Sequence, residues 1–195
     1  MVSMTRRDAM DVFLASAIGA AAALSPVIAA SQSGTGSRTL IAYLTRSGNT
    51  RVFAGALSRR LGADLFDIRT AEPYPADYEE HVEIARQQRD AEATPALAEN
   101  VVELNGYNTI FLGFPIWGGA LPAPARTFLT THDVSGKVLV PFITHGGYGP
   151  GSAPETMAEL APDARHVAPF VIECDQERRQ LEELDSWLSS VSAKL

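Results

Sequence analysis

TRSGNTRVFAGAL, residues 45–57, follows directly on the apolar run LIAYL at 40–44. Its start is crowded with small hydroxyl and glycine residues (Thr45, Ser47, Gly48, Thr50), and no lysine follows the glycine as a nucleoside-triphosphate loop requires. Helical spacing then sets in, with Phe53, Leu57 and Leu61 recurring every four residues up to the helix stop Gly62. An apolar run, a polar glycine turn and a helix, in that order, open a strand–helix–strand unit. Gly48 lets a ligand approach the backbone, successive amides can converge, and the following helix presents its positive end, so the loop has the make-up of an anion cradle. The same residues equally suit an ordinary capped strand-to-helix turn.

The rest of the chain repeats this alternation. TIFLGF (109–114), VLVPFIT (138–144) and VAPFVI (167–172) are near-continuous apolar runs, as expected of strands buried on both faces of a parallel sheet. ADLFDI (63–68) alternates more and suits an edge strand. Pro122 and Pro124 stand where a first helical turn tolerates them, and Leu181, Leu184, Leu188 and Val191 form one helical stripe. The expected fold is therefore α/β, a three-layer α/β/α sandwich with right-handed crossovers. Two prolines, Pro141 and Pro169, fall inside expected strands and call for bulges or strand ends. The long stretch 70–105 is expected to contain a charged, solvent-facing helix in DYEEHVEIARQQRDAE.

A chain of 195 residues, 46% hydrophobic and 20% charged, fits one such domain with a short appendage. The appendage is N-terminal: a basic start, an Ala-rich apolar middle and small residues at Ala29 and Ala30 make residues 1–30 an expected export signal, with 31–37 as linker and 38–195 as the domain. Paired Arg6 and Arg7 point to the twin-arginine route, which carries folded proteins, and hence to a periplasmic or otherwise exported product. The alternative, an uncleaved anchor, is disfavoured by Pro26 and by an apolar run that barely reaches the roughly 20 residues needed to span a membrane. No stable membrane insertion is expected once the signal is gone. Net charge is −7 and does not change without residues 1–30, which argues against nucleic acid as a partner. Cys174 is the single cysteine, so no internal disulfide forms; a small core residue near a strand end is its expected role.

Three glycine-rich loops follow expected strands: TRSGNT, PIWGGALP and THGGYGPGS. Loops after strand C-termini gather at one edge of an open α/β sheet, where ligands bind. Trp117, between Ile116 and the pair Gly118 and Gly119, suits stacking on a flat ring or packing over the core. Tyr148 and His145 sit among further glycines, and His145 reads more readily as a hydrogen-bonded structural residue than as a base.

On these three loops the chain resembles the flavodoxin-like FMN-binding family from Arg38 to about Val191. TRSGNT matches that family's hydroxyl-x-hydroxyl-Gly-x-Thr phosphate loop, GFPIWGGALPAPARTFL and PFITHGGYGPGS look like its flavin-contacting loops, and EPYPADYEE is similar to a segment of its bacterial members. The resemblance implies a five-stranded parallel sheet of order 2-1-3-4-5 and FMN as cofactor. It places the phosphate on Thr45, Arg46, Ser47, Gly48, Asn49 and Thr50. It places the flavin ring against Pro115, Ile116, Trp117, Gly118 and Gly119, and against Thr144, His145, Gly146, Gly147, Tyr148 and Gly149. Tyr148 is the candidate for the tyrosine that flavodoxins often stack on the ring.

Other classes lack their signatures. A low-molecular-weight phosphatase or arsenate reductase needs a cysteine in the first loop, a serine hydrolase needs G-x-S-x-G, and a dinucleotide site needs G-x-G-x-x-G; none occurs. What remains is an electron carrier served by a redox partner protein or a membrane donor, an FMN-dependent reductase of a quinone-like acceptor, or a non-catalytic FMN-binding module.

Overall fold

The computed structural model describes residues 38–174 and 177–192. The expected export signal with Arg6 and Arg7, and the linker 31–37, lie outside the described residues.

Strands and helices alternate as β1 (Arg38–Tyr43), α1 (Asn49–Leu61), β2 (Asp64–Asp67), α2 (Tyr78–Asp90), β3 (Tyr107–Pro115), α3 (Ala123–Thr131), β4 (Val138–His145) and α4 (Ala153–Leu160). Two short segments, β5 (Arg165–His166) and β6 (Phe170–Glu173), and the helix α5 (Glu177–Ser192) complete the domain. All strands are parallel, in the order β2-β1-β3-β4, with β5 and β6 both paired to the far side of β4. The sheet thus has the expected order 2-1-3-4-5, with its fifth strand in two pieces.

The break in that strand resolves the two awkward prolines. Leu139 pairs with His166 and Phe142 with Phe170, so residues 167–169 lie opposite only residues 140 and 141. Pro169 sits in the bulged segment and Pro141 faces it, so neither must supply an amide to a ladder there.

Side chains alternate across the sheet. Ile41, Tyr43, Phe111, Val140 and Phe142 pack with Phe53 and Leu57 of α1 and with Leu184, Leu188 and Val191 of α5. On the opposite face Leu40, Ala42, Ile110, Leu112, Phe114 and Ile143 pack with Phe128 and Leu129 of α3 and with Met157 of α4. Covering both faces is what makes the central strands read as unbroken apolar runs. Among the described residues no helix is long and apolar enough to cross a membrane.

The connection from β2 to β3 is ordered by its own hydrogen bonds. Ala71 N donates to Ala96 O at 2.8 Å and Ala98 N to Arg69 O at 2.8 Å, folding residues 69–71 back against 96–98. Within this connection α2 starts at Asp77, whose carboxylate accepts from Glu80 N at 3.0 Å, a cap worth about 1 kcal/mol. The helix is solvent-facing as expected except at His81, its one buried residue. Cys174 departs from its expected place in the core: it directly follows β6 and is only half-buried, its amide donating to His145 O at 2.8 Å.

Candidate functional site

The three glycine-rich loops leave β1, β3 and β4 at the same sheet edge and are tied to one another. Ile116 N donates to Thr144 O at 2.8 Å, joining the second loop to the end of β4, where the third loop begins. The hydroxyls of Thr50 and Thr144 share a buried hydrogen bond of 2.9 Å, joining the first loop to the third. Ser152 N donates to Gly119 O at 3.0 Å, joining the second loop to the start of α4. A Cβ on Gly151 would stand 1.9 Å from that same Gly119 oxygen, so only glycine permits the approach.

In the first loop Gly48 takes φ +99° and forms the N-cap of α1 with no side-chain hydrogen bond to the helix end and no acidic residue in the first turn. Gly48 N donates to Thr45 Oγ1 at 3.0 Å, which curls the loop. The hydroxyl of Thr50 is engaged with Thr144, leaving its backbone rather than its side chain toward the helix end. Asn49 opens the helix, and Ser47 and Arg46 are exposed at the rim. Arg46 Nη2 reaches Ala76 O at 3.3 Å, and its guanidinium lies over the Tyr78 ring, 5.2 Å from the centroid. A 13-residue helix with an uncapped, acid-free amino end beside arginines is electrostatically prepared for an anion.

The second loop is a tight hairpin. Trp117 N donates to Ala120 O at 3.3 Å and Ala120 N to Trp117 O at 3.2 Å, while Gly118 and Gly119 take φ +57° and +77°. Positive φ at both central residues is the type I′ pattern, which favours glycine. Arg89 of α2 donates to Gly118 O at 3.3 Å. The Trp117 ring is half-buried and edge-on to His81 (centroids 4.5 Å, 88°) and to Tyr74 (5.2 Å, 77°). Pro115 and Ile116 are half-buried beside it.

In the third loop His145 Nδ1 accepts from the amides of Gly147 and Gly149 at 3.0 and 3.2 Å. Nδ1 therefore presents its lone pair inward and holds the turn's shape. Thr144 is buried, Gly149 half-buried, and Gly146 and Gly147 exposed. Tyr148 is 95% exposed.

Beside these loops lies a cavity of about 710 Å³. Of the site residues named from sequence, Thr45, Arg46 and Trp117 line it; the remaining wall comes from Leu44, residues 68–71 and 73–76, His81 and Ala98, none of which the sequence reading placed in a site. EPYPADYEE flagged this region without saying what it builds. Nothing in the charged pattern of α2 singled out His81.

His81 is 4% exposed and neither ring nitrogen has a hydrogen-bond partner. A buried polar group left bare costs about 1–3 kcal/mol. Burial first, and then the Arg46 charge, hold its pKa below the ordinary 6.5, so the ring is neutral near pH 7. The unfolded chain protonates this histidine near 6.5 and the folded chain only below that. Stability is therefore complete above 6.5 and declines as pH falls through the folded pKa. Urea midpoints measured near neutrality and in mild acid are expected to differ more for the wild type than for His81→Phe; equal differences would remove His81 from the acid response.

The profile of a family described as flavodoxin matches residues 38–191. Among solved structures, a Bacteroides eggerthii protein assigned as a flavoprotein is 26% identical, over 80% of this chain and 99% of that one, with a TM-score of 0.70. A flavoprotein in complex with FMN from Lactobacillus acidophilus is 23% identical over 78% of this chain and 99% of its own, with a TM-score of 0.63. Oxidised flavodoxin 2 from Bacillus cereus is 20% identical over 82% of this chain and 100% of its own, at 0.52. Among curated proteins, none matches the chain.

Proposed function

The chain belongs to the flavodoxin family, and from that premise we propose that the loop edge of its sheet holds FMN and serves electron transfer. The observation that carries this reading is the uncapped amino end of α1, tied through Thr50 to the third loop, which in turn is hydrogen-bonded to the second. The residues fit the group. The amides at the start of α1, with the hydroxyls of Thr45 and Ser47 and the charge of Arg46, would receive the phosphate; the hairpin 117–120 and residues 144–149 would flank the ring. The glycines at 118, 119, 146, 147 and 149 leave backbone groups accessible to ring edges. Bound there, FMN supplies reversible acceptance and release of one or two electrons. The L. acidophilus relative in complex with FMN supports the choice of cofactor.

The chain's own contribution is positional. Thr50 and Thr144 fix the distance between the first and third loops, Gly151 and Ser152 dock the second against α4, and Arg89 and the aromatic cluster hold Trp117. An acidic surface of net charge −7 fits a partner with a basic docking face. A second reading, two-electron reduction of a quinone-like acceptor, is supported by the cavity that Trp117 helps to wall. A potentiometric titration of the FMN-loaded protein separates the two: one-electron waves at distinct potentials are expected for the carrier, whereas a single two-electron wave with rapid quinone turnover would overturn it.

Export in the folded, FMN-loaded state belongs to the same proposal, resting on Arg6 and Arg7. Replacing both by lysine is expected to trap loaded protein inside the cell; undiminished export would contradict that route.

A further inference from the structure

The cavity beside the loop edge has features that the FMN reading does not use. It meets the proposed cradle only at Thr45, Arg46 and Trp117; Ser47 to Thr50, Gly118, Gly119 and residues 144–149 are outside its wall. Its volume, about 710 Å³, is in the range of small-molecule pockets. Rings supply much of the wall, since Trp117, Tyr74 and His81 form one cluster in which the Tyr74 and His81 centroids are 4.6 Å apart. The Tyr74 hydroxyl is occupied by Gln88, so it offers the cavity a ring rather than a free donor.

His81 is the polar exception. It lines the cavity, is 4% exposed, and has two bare ring nitrogens. A neutral imidazole carries one N–H donor and one lone pair. No carboxylate lines the cavity, although the chain as a whole is acidic. Of the two arginines in the wall, Arg69 is near Asp67 and Glu99, at 3.9 and 3.6 Å, whereas Arg46 has no carboxylate partner among the described residues. Flat apolar walls, a buried N–H donor and an unneutralised cation select a planar ring that carries oxygen acceptors and no positive charge.

We infer that this cavity is a second ligand site, next to the FMN rather than in its place, for a planar aromatic carbonyl compound of the quinone class. The ring packs against Trp117 and Tyr74, and a carbonyl oxygen accepts from the His81 ring N–H. The inference rests on the FMN reading for the redox-active character of the ligand and for its neighbour across Trp117; binding itself rests on the cavity.

The test uses the full chain loaded with FMN, titrated with 1,4-naphthoquinone-2-sulfonate by calorimetry while the histidine ring nitrogens are followed by NMR. The expected result is one molecule bound per chain with the His81 resonances shifted. His81→Phe is expected to weaken this binding at least tenfold. Ala98→Phe, at an exposed position on the cavity wall outside the cradle, fills the space without touching the buried cluster and is expected to abolish it while FMN is retained. Absence of binding, or binding that both substitutions leave unchanged, overturns the inference. So does competition, in which only FMN-free protein binds the quinone and FMN displaces it, because the cavity is then the flavin's own. Failure of the FMN reading shows itself separately, as a chain that takes up no FMN; naphthoquinone sulfonate bound through His81 in such a chain would still support the site.

Discussion

Ser47→Asp is expected to leave the domain folded and to lower its affinity for FMN by about a thousandfold. Ser47 is exposed and immediately precedes Gly48, the N-cap of α1. A carboxylate at that place faces the positive end of the helix, which favours it by roughly 0.3–1 kcal/mol. Melting temperature should therefore hold or rise slightly. The phosphate is proposed to occupy the same end, and two like charges about 4 Å apart repel by about 4 kcal/mol near a protein surface. That energy corresponds to about three powers of ten in dissociation constant. A fluorescence titration with FMN, run beside a thermal melt, checks both halves. An affinity within tenfold of the wild type in a folded protein would place the phosphate elsewhere.

Gly151→Ala is expected to damage both stability and binding, for a steric reason in the loop junction. The added Cβ falls 1.9 Å from Gly119 O, and Gly151 takes φ +56°. An alanine in the left-handed region costs about 1–2 kcal/mol, and relieving the contact pushes the 117–120 hairpin away from α4, at a cost typical of overpacking, about 1–3 kcal/mol. The Ser152 N to Gly119 O bond is the one that stretches. FMN affinity should fall by about ten- to a hundredfold as the flanking loop moves, which is about 1.4–2.7 kcal/mol. Thermal melts and FMN titration of this variant, compared with Gly62→Ala, distinguish a loop effect from a general glycine effect. Gly62 also has positive φ but has no atom within 4 Å of its would-be Cβ and lies at the far end of α1. Equal losses in the two variants would remove the junction from the binding account.

The fold was legible because a parallel sheet covered on both faces writes itself as apolar runs, and LIAYL, TIFLGF and VLVPFIT are such runs. Even the obstacle was informative: Pro169 marked the break in the fifth strand that the pairing of β5 and β6 displays. The convergence of the loops was legible too, since topology obliges loops after parallel strands to share an edge. The wall of the cavity was not. His81 is the single buried residue of a helix whose other positions are exposed or half-buried, and one position generates no periodicity. Thr50 read as a hydroxyl for a phosphate, while its partner Thr144 lies 94 residues away, a pairing only the fold reveals. Tyr148, which the family resemblance offered as a stacking candidate, is 95% exposed at the loop tip, a placement no periodicity in a glycine-rich loop announces.

A paired titration decides the seat of the FMN phosphate on the amino end of α1. Full chain freed of bound flavin is titrated with FMN and, separately, with riboflavin, which has the same ring and no phosphate. One FMN bound per chain is expected, with an affinity for riboflavin weaker by at least about a hundredfold, because the helix end recognises the anion. No uptake of FMN, or equal affinity for the two flavins, would contradict that seat.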